Sequence, residues 1–521
     1  MLQPAALCSN KQLPDSTPTS DASAARPAAT SGLVLFFSAI FFVLLAARLC
    51  HIDILWADED YHQAAALQVL HGKALYRDLW YDKPPLNVAA YLLFGAAGGA
   101  VLRLASAIYA LSICATAFVF ARWLWSDREG RIAACVAAFF LIFYFPAATI
   151  TLEPDTLLIL PHLWAVYFAW RKRFFAAGFV AGIAMLLNVK ALFVLATCAV
   201  LGFGLEWASL AWLAIGFAIP NLLGLVWLGW LGAFAGYVEQ VWRWGFLYAG
   251  STTAIGTALA GGLGRAGNWA AFHAALVLAA AWCWWKEPER RAQWIAWTAL
   301  SFAGAAVGWR FLPRYLDQLL PPLIMAASRG IALIVSEKPI FEKSRALQIV
   351  LALALLVPAV RFGPRYAMLA AEDLRGSPHA WTDTAMDRDS RAAARIISGM
   401  AETNATLFVW GYRPNLFVYT GLKSASRFWD SQPLTGVPAD RHLSSEPPAA
   451  DGSAGRWATE NRAELMRSRP DFIADGLSLY NPRLDLHRYA DLAPWLAAYC
   501  EVARTSGTII YRRCDKDTPR R

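Results

Sequence analysis

Apolar residues in this chain neither alternate nor mark one helical stripe. From residue 32 they form blocks of membrane length, separated by short polar breaks. A bilayer core about 30 Å thick takes roughly 20 apolar residues per helix. Hydropathy and charge predict about eleven spans, near 32–51, 100–124, 132–149, 155–170, 174–188, 191–206, 209–231, 269–285, 292–309, 316–335 and 346–361. The two short blocks around Asn188-Val189-Lys190 read as half-helices meeting at a polar break. Residues 61–85 are too polar to span. Ala65, Leu67, Val69 and Leu70 keep helical spacing there, which predicts one or two interfacial helices with Tyr76, Trp80 and Tyr81 at headgroup level.

After about residue 375 the apolar blocks stop. A helical pattern over 390–400 then gives way to strand-like runs at 406–411, 471–475 and 508–512, which predicts a small α/β domain outside the membrane. Residues 1–31, rich in Ser, Thr, Ala and Pro, predict a disordered start without a cleaved signal peptide. The expected organisation is a disordered cytoplasmic segment 1–31, a membrane domain 32–361 and an extracytoplasmic domain 362–521.

Composition supports this division. The chain has 521 residues, 57% apolar and only 16% charged, well short of the quarter charged in soluble domains. Its net charge of +9 does not call for a nucleic acid, because the basic residues cluster between spans. Arg128/Arg131, Arg171-Lys172-Arg173, Lys286 with Arg290/Arg291, and Lys338/Lys343/Arg345 follow the positive-inside pattern. With the N-terminus inside, all of these fall on the cytoplasmic side. The acid loops, Lys190, the 232–268 loop, Arg310, Arg314 and the tail then fall outside. Four of the eight cysteines (Cys114, Cys135, Cys198, Cys283) lie in spans as ordinary packing. Cys500 and Cys514 flank a hairpin-like segment with a three-residue turn at Ser506-Gly507-Thr508, within disulfide reach, although two unpaired thiols are the favoured expectation.

Charged residues beside hydrocarbon are costly and usually functional. Trp56-Ala57-Asp58-Glu59-Asp60-Tyr61-His62 places three consecutive acids just after the first span. Nearby apolar surface raises a carboxylate's pKa and makes it a better base. Asp58 and His62, one helical turn apart, could also share a proton or, with Glu59, a metal. The plainer reading of Asp58 or Asp60 is a helix N-cap, and three acids in a row weigh against it. Glu153-Pro154-Asp155 forms a second acid site, where Asp155 also suits the first turn of a helix. Lys83, Lys190, Arg243, Arg265, Arg310 and Arg314 share the same face, and Lys190 in apolar surroundings needs a partner. Such cations around an acidic centre suit an anionic lipid phosphate, while snorkelling to headgroups is the plainer duty of Arg310 and Arg314. No phosphate-binding loop, dinucleotide fingerprint or zinc-protease motif occurs, and Ala260-Gly261-Gly262-Leu263-Gly264 reads as a flexible external loop.

At these residues the chain resembles the GT-C membrane glycosyltransferases, which include protein O-mannosyltransferases and the lipid A aminoarabinose transferase. It is most similar to their RgtA/B/C/D-like (dolichyl-phosphate-mannose-like) branch. The matching elements are Asp58-Glu59, then 72–78 with Lys83-Pro84-Pro85-Leu86, Arg103, Leu152-Glu153-Pro154-Asp155, Asn188-Val189-Lys190, and Phe311-Leu312-Pro313-Arg314-Tyr315 through Pro322. Val409-Trp410-Gly411 and 469–473 continue the match in the tail. Asp60 is additional to the motif, and Arg314 stands where relatives often carry His. The resemblance implies a polytopic helical GT-C fold and an inverting transfer of sugar from a polyprenyl-phosphate donor to a lipid, glycan or protein acceptor. Asp58 would be the base and Glu59 would orient it or help bind a divalent cation. Glu153 or Asp155 would position the acceptor, and Lys83, Lys190, Arg310 and Arg314 would face the donor phosphate. A flippase of lipid-linked sugars and a non-catalytic envelope scaffold remain as alternatives; the first would favour mid-membrane polar residues and an internal repeat, neither of which the sequence shows.

Overall fold

The computed structural model describes residues 25–202, 207–250, 255–336, 342–377, 381–437 and 453–514. Residues 1–24 of the segment expected to be disordered lie outside these, whereas residues 25–31 already belong to the first helix, Ala25–Leu49.

Each of the predicted spans contains a helix. Five of them, Ser31–Leu49, Gly99–Leu124, Trp207–Trp230, Pro313–Ser336 and Arg345–Arg375, are long and apolar enough to cross a bilayer by themselves. A sixth crossing forms if the pair Leu259–Phe272 and Ala274–Lys286, bent by 85°, acts as one. The shorter helices, including Phe174–Met185 and Ala191–Leu201, flank the break at Asn188-Val189-Lys190 as half-helices. Close backbone approach holds Phe174–Met185 against Trp207–Trp230: a Cβ on Gly178 would lie 2.0 Å from the Leu213 carbonyl oxygen.

Two expectations about loops fail. The glycine-rich run 260–264 is helical, inside Ile255–Phe272, with Gly262 packed on the Phe311 ring. The 232–268 segment carries further helix, including a π-helical turn, Val238–Arg243. Residues 59–70 do form a helix, Glu59–Leu70, but Tyr76, Trp80 and Tyr81 are 1%, 2% and 0% exposed. They are buried inside the protein: Trp80 packs on Phe428 and Trp457 of the tail, whereas Tyr76 and Tyr81 meet Tyr237 and Gln240.

The tail contains five strands: β1 (Thr406–Trp410), β2 (Lys423–Ser424), β3 (Phe472–Asp475), β4 (Tyr499–Arg504) and β5 (Ile509–Arg513). Their order is β2-β1-β3-β5-β4, with β2, β1 and β3 parallel and β5 antiparallel to both β3 and β4. The helix Ala385–Met400 packs beside the sheet and buries Ala393 and Ile397. Cys500 and Cys514 form a disulfide with Cα atoms 5.4 Å apart, so the favoured unpaired thiols are corrected. The turn spans residues 505–508 between Arg504 and Ile509, and an irregularity at Glu501/Ala503 shifts the register so that Cys500 faces Arg512 and bonds to Cys514 diagonally. Tail and membrane part share one apolar core: Tyr61, Trp80, Tyr81 and Leu152 pack in the same cluster as Trp410, Phe428 and Trp429. Trp429 donates its indole N–H to the Trp80 carbonyl at 2.6 Å, and Gln68 bonds to both Leu422 and Ser424.

Candidate active site

The three consecutive acids have separate environments. Asp58 precedes the Glu59–Leu70 helix with φ 74°, a conformation rare for a residue with a Cβ; strain of this kind tends to collect at functional sites. Its carboxylate pairs with the Arg314 guanidinium and accepts a hydrogen bond from the Tyr412 hydroxyl at 3.0 Å. Burial acts to raise its pKa, but the charges of Arg314 and Lys83, with smaller help from His62 and Tyr412, hold it below the usual carboxylate value.

Glu59 is fully buried. Arg103 holds both of its oxygens at 3.0 and 2.9 Å, and the Leu152 amide donates to one of them at 3.3 Å. Arg103 also donates to the carbonyls of His51 and Ile54. Glu59 therefore ties the acid loop to the Gly99–Leu124 helix and to the second acid site.

Asp60 faces the tail. One oxygen accepts the first amide of the Asn415–Thr420 helix at 3.3 Å, while the other has no hydrogen-bond partner among the described residues. Burial and then the Asp58 charge push it well above the usual carboxylate value. The N-cap duty weighed from the sequence thus exists in altered form: Asp60 serves a helix more than 350 residues away in sequence.

The second acid site splits as well. Glu153 reaches the Nε of Arg314 at 3.4 Å, so one guanidinium bridges Glu153 and Asp58. Burial raises the Glu153 carboxyl well above its ordinary value, against the opposing pull of Arg314. Asp155 turns inward instead. It receives Lys190 at 2.7 Å, Asn188 at 3.1 Å and Gln318 at 3.5 Å. Lys190 also lies 3.3 Å from the centroid of the Tyr315 ring. The partner demanded by a buried lysine is therefore Asp155.

The remaining cations are more dispersed. Lys83 pairs with Asp82 at 2.8 Å and contributes to the field at Asp58. Arg310 is buried, and its carbonyl accepts from Arg265. Arg243 lies over the Trp457 ring of the tail, 6.0 Å from its centroid. Asp58, Glu59 and His62 do not fit together as a metal-ligand set. Arg103 and the Leu152 amide occupy Glu59, while Nδ1 of His62 lies 2.6 Å from the Tyr81 hydroxyl. No group of three or more His, Cys, Asp or Glu residues suited to a metal occurs among the described residues.

Sequence reasoning missed two residues here. Tyr412 follows Val409-Trp410-Gly411, and Gly411 with φ 123° makes the turn that leads to it. Asp317 is 1% exposed, with neither oxygen hydrogen-bonded among the described residues. An acid three residues beyond Arg314, inside a predicted span, was the available signal.

This arrangement can be set beside known structures. ArnT from Cupriavidus metallidurans bound to undecaprenyl phosphate matches with a TM-score of 0.55 at 15% identity, over 93% of this chain and 99% of that one. The apo state of the same protein gives 0.53 at 14% identity, over 93% and 98%. The chain has the GT-C fold. No family profile matches it, and no curated protein matches it in sequence. In this fold the acid loops, the Arg314 turn and the tail meet at one seam.

Proposed function

We propose that the chain is an inverting glycosyltransferase that moves a sugar from a polyprenyl-phosphate donor to an acceptor on the extracytoplasmic side of an inner membrane. The observation that carries this reading is the Asp58–Arg314–Glu153 bridge, in which one cation holds two carboxylates at the seam between membrane part and tail. An arginine in that position exchanges carboxylate for phosphate readily, because its planar fork suits both. Donor phosphate then draws Arg314 away from Asp58 and leaves an ionised carboxylate beside the reacting carbon. Losing that counter-charge makes Asp58 more basic.

The acceptor hydroxyl oxygen forms a bond to the anomeric carbon on the face opposite the phosphate, and its proton passes to Asp58. The bond from that carbon to phosphate oxygen breaks, and the phosphate keeps the electron pair. Arg314, with Lys83 close by, neutralises the charge that grows on it. Glu153 receives the acceptor. Arg310 adds positive charge to the surroundings, Lys190 holds Asp155 in place, and Glu59, held by Arg103, fixes the angle of the acid loop. The reported relative's bound undecaprenyl phosphate supports a donor of this class.

The test uses proteoliposomes carrying the full chain and a donor labelled in both sugar and lipid. Transfer releases free polyprenyl phosphate as labelled sugar enters an acceptor fraction. Intact donor crossing the bilayer without that release would establish the flippase reading instead.

A further inference from the structure

A groove of about 1060 Å³ runs along the outside of the last span, away from Asp58. It is lined by residues 353–368 of the Glu342–Arg375 helix, by Phe145 and Pro146, and by Trp381, Thr382 and Asp383 at the start of the tail. The helix lies against the bundle only sparsely, with 11% of its most apolar window buried. Along the groove Leu353, Leu356, Val357 and Val360 are 53–62% exposed.

Chemistry changes sharply at one end. Residues 346–360 carry no charge, after which Arg361 and Arg365 follow within a turn. Arg365 is neutralised by Asp383 at 2.9 Å and also reaches His51 at 3.4 Å. Arg361 is exposed and has no carboxylate partner among the described residues; its guanidinium lies over the Phe362 ring. An apolar channel leading to an uncompensated cation, a hydroxyl (Thr382) and an indole has the amphipathic order of a lipid with an anionic head.

We propose that this groove binds an anionic phospholipid of the surrounding bilayer, its acyl chain along residues 353–360 and its phosphate on Arg361. The site is separate from the donor site and does not depend on the chain being a transferase. It is linked to the acid loop through a continuous set of contacts. Arg365 touches His51, the His51 carbonyl accepts Arg103 at 3.1 Å, and Arg103 holds Glu59. Lipid packed against Arg365 therefore bears on the support of Asp58.

The full chain in nanodiscs of equal phosphatidylglycerol and phosphatidylcholine is released and its retained lipids are counted by native mass spectrometry. Wild type retains phosphatidylglycerol preferentially. Arg361→Glu lowers that preference by about fivefold or more, and Arg361→Gln gives a smaller loss in the same direction. Val357→Trp, which fills the channel, lowers retention of both lipids. Unchanged phosphatidylglycerol retention in both Arg361 variants, or equal retention of the two lipids by wild type, overturns the site. Transfer activity plays no part in the readout, so failure of the catalytic reading leaves this test intact.

Discussion

Two acid–base clusters stand a few residues apart in the same molecule, and they are built for opposite purposes. Within the bundle Lys190, Asn188 and Gln318 all converge on Oδ1 of Asp155, and the Asp155–Lys190 pair is 6% and 11% exposed. At the seam Asp58 and Glu153 divide a single Arg314 that is 27% exposed, with a tyrosine supplied by the tail. The inner pair resists rearrangement, because removing Lys190 strands the buried charge of Asp155. The outer one has more carboxylate than cation, so an incoming phosphate can reorganise it. A buried carboxylate with a cation of its own gives structure; two carboxylates that share one cation leave a site.

Substitutions that trade the clusters' properties test this contrast. Arg314→Gln removes the shared cation. Transfer is expected to fall by about 10²–10³, the cost of losing one preorganised charge donor at a developing anion, with little loss of thermal stability. Lys190→Met should do the reverse, costing about 3–5 kcal/mol because Asp155 is left buried and unpaired. Adding Asp155→Leu should recover much of that, as measured by denaturation in detergent. If Arg314→Gln proved the more destabilising of the two, the contrast would be inverted.

Within the seam, Asp60 offers a smaller test. Its folded pKa is raised, so keeping it ionised costs stability as pH rises above its unfolded value of about 4. Asp60→Asn retains an oxygen for the Asn415 amide and has no such cost. The variant is expected to match or exceed wild-type stability at pH 7, with the advantage shrinking below pH 4; a loss at pH 7 would contradict the buried, raised carboxyl. Smallest of all is Tyr412→Phe. Removing one of the hydrogen bonds that lower the Asp58 pKa shifts the acid limb of the kcat/KM profile to higher pH. An unmoved limb would detach Tyr412 from Asp58.

Much of this was legible in the sequence. The helices at the predicted spans, the polar break at Lys190, the acid loops and most of the strands follow from local periodicity and charge, whereas the count of eleven crossings does not, since five or six of the described helices are long and apolar enough to cross by themselves. What stayed hidden depends on contacts between distant segments. Nothing near Glu59 announces Arg103, nor does any local pattern send Asp60 to Asn415 or Tyr412 to Asp58. The burial of Tyr76, Trp80 and Tyr81 has the same origin: their aromatic, amphipathic composition suits a membrane surface as well as a protein interior, and only distant segments at Tyr237, Gln240 and Phe428 decide between them. The helical state of residues 260–264 shows a glycine run overruled by packing, since Gly262 lets the helix lie against Phe311.

The central claim is that Asp58, released from Arg314 by the donor, takes the proton of the attacking hydroxyl. Single-turnover transfer from a labelled polyprenyl-phosphate sugar by Asp58→Asn, measured beside donor binding, tests it most directly. The account predicts intact donor binding with transfer slowed at least about a hundredfold. Transfer at the wild-type rate in that variant would contradict it.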